Sequence, residues 1–347
     1  MLLLAGLLSM MAVGATAFFG FDMGANDDDD GMMNLPMPDT ADGPSGGGDL
    51  LTDPEAEAER DPPSESPPGG SSAAGQIVSG GPLADVMQGT PGNDQMNGYT
   101  GADQVFGGAG NDQLFGDLGA DTIDGQDGND TLHGGADNDS LMGGPGNDQV
   151  FGHDGADTLL GDDGDNSLVG SAGNDLLFGQ DGADALHGDL GDDTLDGGLG
   201  ADTLFGGWGD DTLIGITDNA DLAGIQDQDE GDYLNGGDGD DLILAGRDDI
   251  VGTGDGSDKV VLGEWLSRDH QAEIGDFSVA EDSLMVIYDD IANPDPDVTI
   301  EQDDTDETRQ HIVLNGKRIA AVDGADGLSL EHITLIAEST FGTLMTG

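Results

Sequence analysis

Aspartate recurs at every ninth residue through the middle of this chain, from Asp94 to Asp211, with one interruption at Asn166. Carboxylates at a fixed spacing, with no imidazole or thiolate in the same series, are ligands suited to a hard divalent cation. Zinc and copper prefer nitrogen and sulfur donors. The chain contains no cysteine, so a thiolate metal site and a disulfide framework are both excluded.

These aspartates occupy position 6 of fourteen gapless nonapeptides that run from residue 89 to residue 214. Glycine opens every unit and fills position 4 in all but one, where Asp137 stands, and an aliphatic residue or methionine always fills position 8. We expect a glycine-rich turn followed by a short strand, with the glycines at positions 1 and 4 supplying backbone angles that other residues rarely adopt. Residues 80–88 form a weaker copy. Register is lost after Ile214 and resumes at residue 236, so the array is predicted to fray before it closes at residue 261.

Two nonapeptides would complete one coil of a solenoid, so aspartates 18 residues apart would stack in columns. At a strand spacing of about 4.8 Å, such columns repel unless a cation lies between the carboxylates. Ca²⁺ accepts adaptable sets of carboxylate and carbonyl oxygens, whereas Mg²⁺ holds its water more tightly. We therefore predict several bound Ca²⁺ ions. The predicted ligands are Asp94, Asp112, Asp130, Asp148, Asp184 and Asp202 in one column, Asp103, Asp121, Asp139, Asp157, Asp175, Asp193 and Asp211 in the other, and Asp241 and Asp258 in the resumed units.

The composition indicates that the chain needs an external ligand to fold. The formal net charge is -66, with seven Lys and Arg residues in 347, which excludes nucleic acid as a partner. Sixty-three glycines and 4% aromatic residues would ordinarily indicate disorder, because too little apolar surface is available for burial. Metal binding to the folded form alone would shift that equilibrium.

The chain divides into four predicted segments. Residues 1–22 form an apolar helix that serves as an export signal or membrane anchor. Residues 23–79 are an acidic linker rich in proline and glycine, and they are predicted to be disordered. Residues 80–261 form the array, and residues 262–347 form a small β-rich C-terminal cap with a hairpin turn at Asn315 and Gly316. The predicted fold class is all-β: a parallel β-roll solenoid with these flanking segments.

Residues 80–261 resemble the repeats-in-toxin, or hemolysin-type, calcium-binding array, whose consensus G-G-x-G-x-D-x-U-x is matched in fourteen consecutive units. The resemblance implies a parallel β-roll that folds after export, with calcium between successive turns held by position-6 aspartates and turn carbonyls. Asn166 departs from the pattern, which puts in doubt the two sites that it would share with Asp148 and Asp184. The resemblance also implies a secretion signal in residues 262–347, whereas the apolar N-terminus departs from the family's habit.

The resulting functional prediction is calcium binding without catalysis, in a structural or adhesive role at the cell surface or outside the cell. Residues 1–22 would supply a membrane tether, and the sequence does not identify a protein or surface partner. Two alternatives stay open. The chain could be a remnant or export module of a repeats-in-toxin toxin or hydrolase, or an enzyme with its chemistry in residues 262–347. That segment shows no nucleophile and base signature, and the chain has no H-E-x-x-H motif.

Overall fold

The computed structural model describes residues 74–217, residue 227, and residues 230–267 and 269–340. The predicted N-terminal segment and most of the predicted linker lie outside these residues. Within the described part, the chain forms twenty-six strands in two sheets and a 3-10 turn at Leu330–His332. No helix in that part is both long enough and apolar enough to cross a bilayer.

The two sheets collect alternate strands of the chain. The first sheet contains, in spatial order, β1 (Ile77–Ser79), β3 (Gln95–Thr100), β5 (Gln113–Leu118), β7 (Thr131–Ala136), β9 (Gln149–Asp154), β11 (Ser167–Ala172), β13 (Ala185–Leu190), β15 (Thr203–Trp208), β17 (Tyr233–Asp238), β19 (Ile250–Asp255), β21 (Ala272–Ile274), β25 (Lys317–Asp323), β24 (Arg309–Leu314) and β23 (Val298–Gln302). The second sheet contains β2 (Val86–Gln88), β4 (Gln104–Ala109), β6 (Thr122–Asp127), β8 (Ser140–Met142), β10 (Thr158–Asp163), β12 (Leu176–Asp181), β14 (Thr194–Leu199), β16 (Thr212–Ile214), β18 (Leu242–Leu244), β20 (Lys259–Gly263), β22 (Ser283–Tyr288) and β26 (Ile333–Ala337).

Neighbouring strands are parallel and come from repeats two apart, which confirms the predicted stacking. Met96 of β3 lies opposite Leu114 of β5, and Leu159 of β10 lies opposite Leu177 of β12, an offset of 18 residues in both sheets. The ladder begins directly after position 6, where the Gln113 amide donates to the carbonyl of Asp94 at 2.9 Å. One coil of the roll is therefore two nonapeptides, and each coil gives one strand to each sheet.

The core is a row of position-8 side chains from both sheets. Because side chains alternate across a strand, positions 8 and 1 face inward while positions 7, 9 and 2 face outward. Leu114, Leu132 and Leu168 are fully buried, as are their counterparts in nearly every other repeat. Each such side chain contributes about 1.5–3 kcal/mol of burial. The interior has room for little else, so position 1 must be glycine.

The glycines at positions 1 and 4 serve different purposes, which corrects the expectation that both supply unusual backbone angles. Position 4 has a positive φ, for example +155° at Gly146, and Asp137 adopts +78° at the same position. Position 1 has no positive φ but is crowded: a Cβ on Gly125 would lie 2.4 Å from Oδ2 of Asp130. Several non-glycine residues at position 2, including Asp117 at +73° and His153 at +78°, also adopt positive φ. The sequence pattern did not predict this.

The expected fraying after Ile214 is wrong, because both sheets continue without a break. The β15–β17 and β16–β18 pairs are parallel, and aspartates on either side are offset by 30 residues in place of 18. The 12 additional residues (30 − 18) therefore lie between β16 and β17 in the sequence, and the strands on either side still pair in register. The next coil is offset by 17 residues, so the shortened unit also keeps the stacking.

The C-terminal region extends the same two sheets. β22 and β26 add parallel strands to the second sheet, and β21 and β25 add them to the first. β25, β24 and β23 then pair antiparallel. The predicted hairpin is confirmed: Asn315 and Gly316 connect β24 to β25 with φ values of +52° and +78°. At the other end, β1 begins at Ile77, ahead of the predicted start of the array.

Candidate metal centres

All fifteen predicted aspartate ligands are buried, with 0–4% of each residue exposed. Each lies at the last residue of a turn, directly before a strand, so the parallel stacking aligns them in two columns along the roll. One column precedes the strands of the first sheet and the other precedes those of the second. The structure thus brings together the residues that the 18-residue spacing predicted to be neighbours.

One oxygen of each carboxylate is held by the backbone. Oδ1 of Asp112 accepts a hydrogen bond from the amide of Asp94 at 2.7 Å, and Oδ1 of Asp130 accepts one from Asp112 at 2.7 Å. The same contact recurs along both columns. Because a backbone amide fixes each side chain, the folded coils hold the carboxylates in one orientation.

The other oxygen has no hydrogen-bond partner among the described residues, except at Asp94, whose Oδ2 accepts hydrogen bonds from the amide and the hydroxyl of Thr90. Fifteen buried Oδ2 atoms make no hydrogen bond, and fourteen of them belong to predicted ligands. The residues are Asp103, Asp112, Asp121, Asp130, Asp139, Asp148, Asp157, Asp175, Asp184, Asp193, Asp202, Asp211, Asp232, Asp241 and Asp258. At the ends of the columns the backbone satisfies this atom: the Gly81 amide donates to Asp85 at 2.6 Å and the Ser278 amide to Asp282 at 2.7 Å. Buried, unpaired carboxylate oxygens are unfavourable unless a cation or a donor approaches them.

A backbone carbonyl oxygen faces the same space as the open Oδ2 in many of the coils. The point where a Cβ on Gly125 would lie is 2.4 Å from Oδ2 of Asp130 and 2.6 Å from the carbonyl oxygen of Gly143. Position 1 therefore leaves a cradle lined by hard oxygens, which Ca²⁺ accepts. In the described residues no three His, Asp or Glu side chains gather at one point. A cation would accordingly be held by column carboxylates and turn carbonyls together.

Burial raises the pKa of most column carboxyls. Desolvation, with added repulsion from neighbouring aspartates, raises the pKa of Asp130 and Asp139 to about 7 and that of Asp211 to about 8. Asp232 is raised to about 9 by desolvation first and by the charge of Asp249 second. Ionisation of both columns at neutral pH is therefore unfavourable without a positive counter-charge.

Asn166 keeps the structural contact and removes the open oxygen. Its Oδ1 accepts the amide of Asp148 at 3.0 Å, as an aspartate would, while its Nδ2 donates to the carbonyl of Gly164 at 3.1 Å. A Cβ on Gly161 would lie 2.6 Å from that Nδ2, so an amide group occupies the place of Oδ2. An N–H donor cannot ligate a cation, and the predicted weakness beside Asp148 and Asp184 has this physical basis.

The columns include aspartates that the sequence reasoning missed. Oδ1 of Asp232 accepts the Asp202 amide at 2.8 Å, and Oδ1 of Asp282 accepts the Asp258 amide at 3.1 Å. Asp249 is fully buried and accepts the Asp232 amide at 2.9 Å. The sequence does indicate them. Each of these aspartates stands directly before a strand and begins an Asp-x-Leu or Asp-x-Val pattern, even where the glycines are displaced.

A second ladder, also missed, runs beside the columns at position 5. Oδ1 of Asn93 accepts the amide of Asn111 at 3.1 Å, and Oδ1 of Asn129 accepts that of Asn147 at 3.2 Å. These exposed side chains bond toward the next coil, whereas the position-6 carboxylates bond toward the previous one. Consecutive turns are therefore tied in both directions along the roll.

Histidines in the C-terminal region make local contacts. Nδ1 of His270 lies 2.6 Å from Asp248, and Nε2 of His311 lies 2.9 Å from Asp303. Oγ of Ser329 lies 3.2 Å from Nδ1 of His332, but the same nitrogen lies 3.0 Å from the amide of Ser329. This serine and histidine form the capping box of the 3-10 turn, so their contact has a structural explanation.

The fold and the site together define a parallel β-solenoid whose turns carry buried columns of open carboxylate oxygens. The particular family follows from sequence comparison. The model described as RTX calcium-binding nonapeptide repeat (4 copies) matches residues 79–114, 106–141, 115–150, 133–168, 151–186, 160–195 and 187–215. Residues 79–215 are therefore RTX calcium-binding repeats, as the resemblance implied.

Comparison with curated proteins and with solved structures does not extend this assignment beyond the repeats. No curated protein matches the chain. Among solved structures, the crystal structure of extracellular lipase LipA from Serratia marcescens is similar at 15% identity, covering 53% of this chain and 40% of the lipase chain, with a TM-score of 0.20. The chain thus spans less than half the length of that lipase, and a TM-score this low carries no argument about shared architecture or activity.

Proposed function

We propose that this chain is a calcium-folded β-roll that binds several Ca²⁺ ions in a non-catalytic, structural or adhesive role outside the cell or at its surface. The single observation that carries the proposal is the row of fifteen buried, unpartnered Oδ2 atoms. The predicted aspartates other than Asp94, with Asp232 added, would hold the ions with turn carbonyls. Bound Ca²⁺ supplies the positive charge that the columns lack.

The chain's own residues do the rest of the work. Backbone amides fix Oδ1, and the position-1 glycine keeps the space beside Oδ2 open. The position-8 side chains form the apolar core between the two sheets. Without a cation, the raised carboxyl pKa values oppose folding at neutral pH. The roll would therefore fold where calcium is abundant, in the range of about 10⁻⁴–10⁻³ M that extracellular calcium modules use.

Far-UV circular dichroism of the full chain tests the proposal. We expect a disordered spectrum in chelator and a cooperative gain of β signal on adding Ca²⁺, with Mg²⁺ as the matched control. A roll already folded in chelator, or an equal response to Mg²⁺, contradicts selective calcium-driven folding. A broad hydrolase assay on the calcium-loaded protein tests the non-catalytic part, and turnover that survives purification would overturn it.

The proposed location rests on the four predicted segments. Residues 1–22 would direct export or anchor the chain, residues 23–79 would act as a spacer up to β1, residues 80–261 would bind calcium, and residues 262–347 would end the roll. Fractionation of producing cells tests this arrangement, since the protein should be found in the medium or at the cell surface. Recovery from the cytoplasm alone would contradict it. The N-terminal residue of the mature protein would show whether residues 1–22 are removed.

A further inference from the structure

Two imidazole rings meet on the outer surface of the first sheet, away from the aspartate columns. Nδ1 of His133, at position 9 in β7, lies 2.9 Å from Nε2 of His153, at position 2 in β9. The ring centroids are 5.2 Å apart, with an interplanar angle of 17°. His153 is exposed and His133 is partly buried, so a small ion can reach the two nitrogens from solvent.

The register of the sheet accounts for this meeting. His153 lies directly opposite Gly135 of β7, and Gly135 in turn lies opposite Asp117 of β5. Because Gly135 has no side chain, the imidazole of His153 has room to lean across β7 toward His133. The gap over Gly135 is thus bordered by an imidazole on one side and by the strand that carries a carboxylate on the other.

The His133 ring is held in place by aromatic stacking. It lies between Phe115 and Phe151, with ring centroids 4.9 Å away on each side and interplanar angles of 5° and 10°. Such stacking restricts the orientation of the ring more than a position in open solvent would. Burial and the neighbouring imidazole lower the pKa of His133, which keeps a lone pair available at neutral pH.

We propose that His133 and His153 form a binding site for an imidazole-preferring divalent transition metal ion such as Cu²⁺, separate from the calcium columns. With metal–nitrogen bonds of about 2.0–2.1 Å, two adjacent ligand nitrogens lie roughly 2.9–3.4 Å apart, and the observed separation falls in that range. Ca²⁺ prefers oxygen donors and would not compete. Within the described residues no third His, Asp or Glu joins the pair at one point, so water completes the coordination.

Electron paramagnetic resonance of Cu²⁺ tests the site. The full chain is first folded in saturating Ca²⁺, and Cu²⁺ is then titrated in. We expect the first equivalent to show hyperfine coupling to two nitrogens. His133→Phe and His153→Ser should each weaken this binding by about tenfold or more and abolish the two-nitrogen signal. Both replacements occur naturally at the paired positions of neighbouring strands, Phe115 opposite His133 and Ser171 opposite His153.

His187→Phe is the matched control. His187 also occupies position 9 and stacks on Phe205 at 5.0 Å, but it contacts no second imidazole in the described part of the chain. This variant should bind Cu²⁺ as the parent protein does. Oxygen-only coordination of the first equivalent, or equal affinity in all four proteins, would overturn the proposal and leave the pair as a hydrogen bond between neutral rings. Calcium-induced β signal is recorded for every variant, and the two substitutions lie on different strands, so either one that folds decides the question.

Discussion

At the scale of single residues, each position-6 aspartate divides its two oxygens between two tasks. Oδ1 binds the preceding coil, and Oδ2 is left open beside the position-1 glycine. Asn166 shows that the tasks separate, because it keeps the hydrogen bond to Asp148 and fills the open position with an N–H group. Substitution by asparagine therefore removes the proposed ligand while leaving the turn intact.

Asp139→Asn is expected to raise the Ca²⁺ concentration at the folding midpoint by about tenfold, since one carboxylate oxygen and one negative charge are lost from the column. Circular dichroism at increasing Ca²⁺ measures the midpoint. Asp154→Asn is the matched control, because Asp154 is exposed at position 3 and loses the same charge. If both variants shift the midpoint equally, net charge explains the effect and Asp139 is no ligand.

The raised carboxyl pKa values predict an unusual pH dependence in the absence of calcium. Aspartates whose folded pKa is about 7, as at Asp130 and Asp175, bind more protons in the folded state than in the unfolded state, where the pKa is about 3.9. Their contribution is fully present below about pH 4 and is lost as pH rises toward 7. In chelator, we expect β structure to form on acidification and to melt as pH rises.

Circular dichroism in chelator between pH 4 and pH 8 measures this dependence. The slope should reverse when Ca²⁺ is present, because protons then compete with the ion for the same oxygens. A calcium-free chain whose β signal grows with rising pH would contradict the burial of ionisable carboxyls in the columns.

At the scale of strands and turns, the parallel stack depends on the position-4 glycine for two separate reasons. Gly146 has a φ of +155°, and a Cβ there would lie 1.7 Å from the carbonyl oxygen of Gly128. Gly146→Ala therefore combines backbone strain of about 1–3 kcal/mol with a collision against the neighbouring coil. We expect this variant to lose calcium-induced folding or to require far more calcium.

Gly327→Ala separates the two effects. Gly327 also has a positive φ, +96°, but nothing lies within 4 Å of the added carbon. We expect this variant to show the strain alone, with a modest fall in the urea midpoint of the calcium-loaded protein. If both substitutions destabilise the protein equally, the backbone angle, and not the close approach of successive coils, explains why glycine is needed at position 4.

The nonapeptide period predicted the elements well because each position has a fixed place in the coil. Position 8 fills the core, position 6 starts the strand, and the period of 18 fixes the register between neighbours. The additional residues after Ile214 misled the prediction, because the glycine pattern is interrupted there while the pairing of the strands on either side continues. Asp232 and Asp249 lie in the column, and only the Asp-x-aliphatic pattern in the sequence indicates this.

Other features depended on contacts that a period does not reveal. The meeting of His133 with His153 requires both the register of β7 with β9 and the missing side chain at Gly135. The choice of Oδ1 over Oδ2 for the backbone amide, and the opposite direction of the position-5 ladder, are likewise properties of the stacked coils. A single repeat contains neither.

At the scale of the whole molecule, the formal charge of -66 opposes folding, because like charges repel one another in the compact state. Simple salt screens exposed charges, with a Debye length of about 3 Å at 1 M, but it acts weakly on buried groups. We expect 1 M NaCl in chelator to compact the chain without producing β signal, since the column oxygens need a ligand and not only screening. Small-angle scattering and circular dichroism measure the two properties separately. Full folding by NaCl alone would show that repulsion at the surface was the sole obstacle.

The reversed strand β24 near the end of the first sheet has a consequence for assembly. A parallel solenoid offers an unpaired strand at its end, on which a further coil, or another molecule, could continue the ladder. Here β24 runs against the direction of the roll strands, and the edge strand β23 beyond it carries the acidic Glu301. A further coil at that edge would have to pair with a hairpin strand and not with another coil, so we expect the sheet to limit its own growth there.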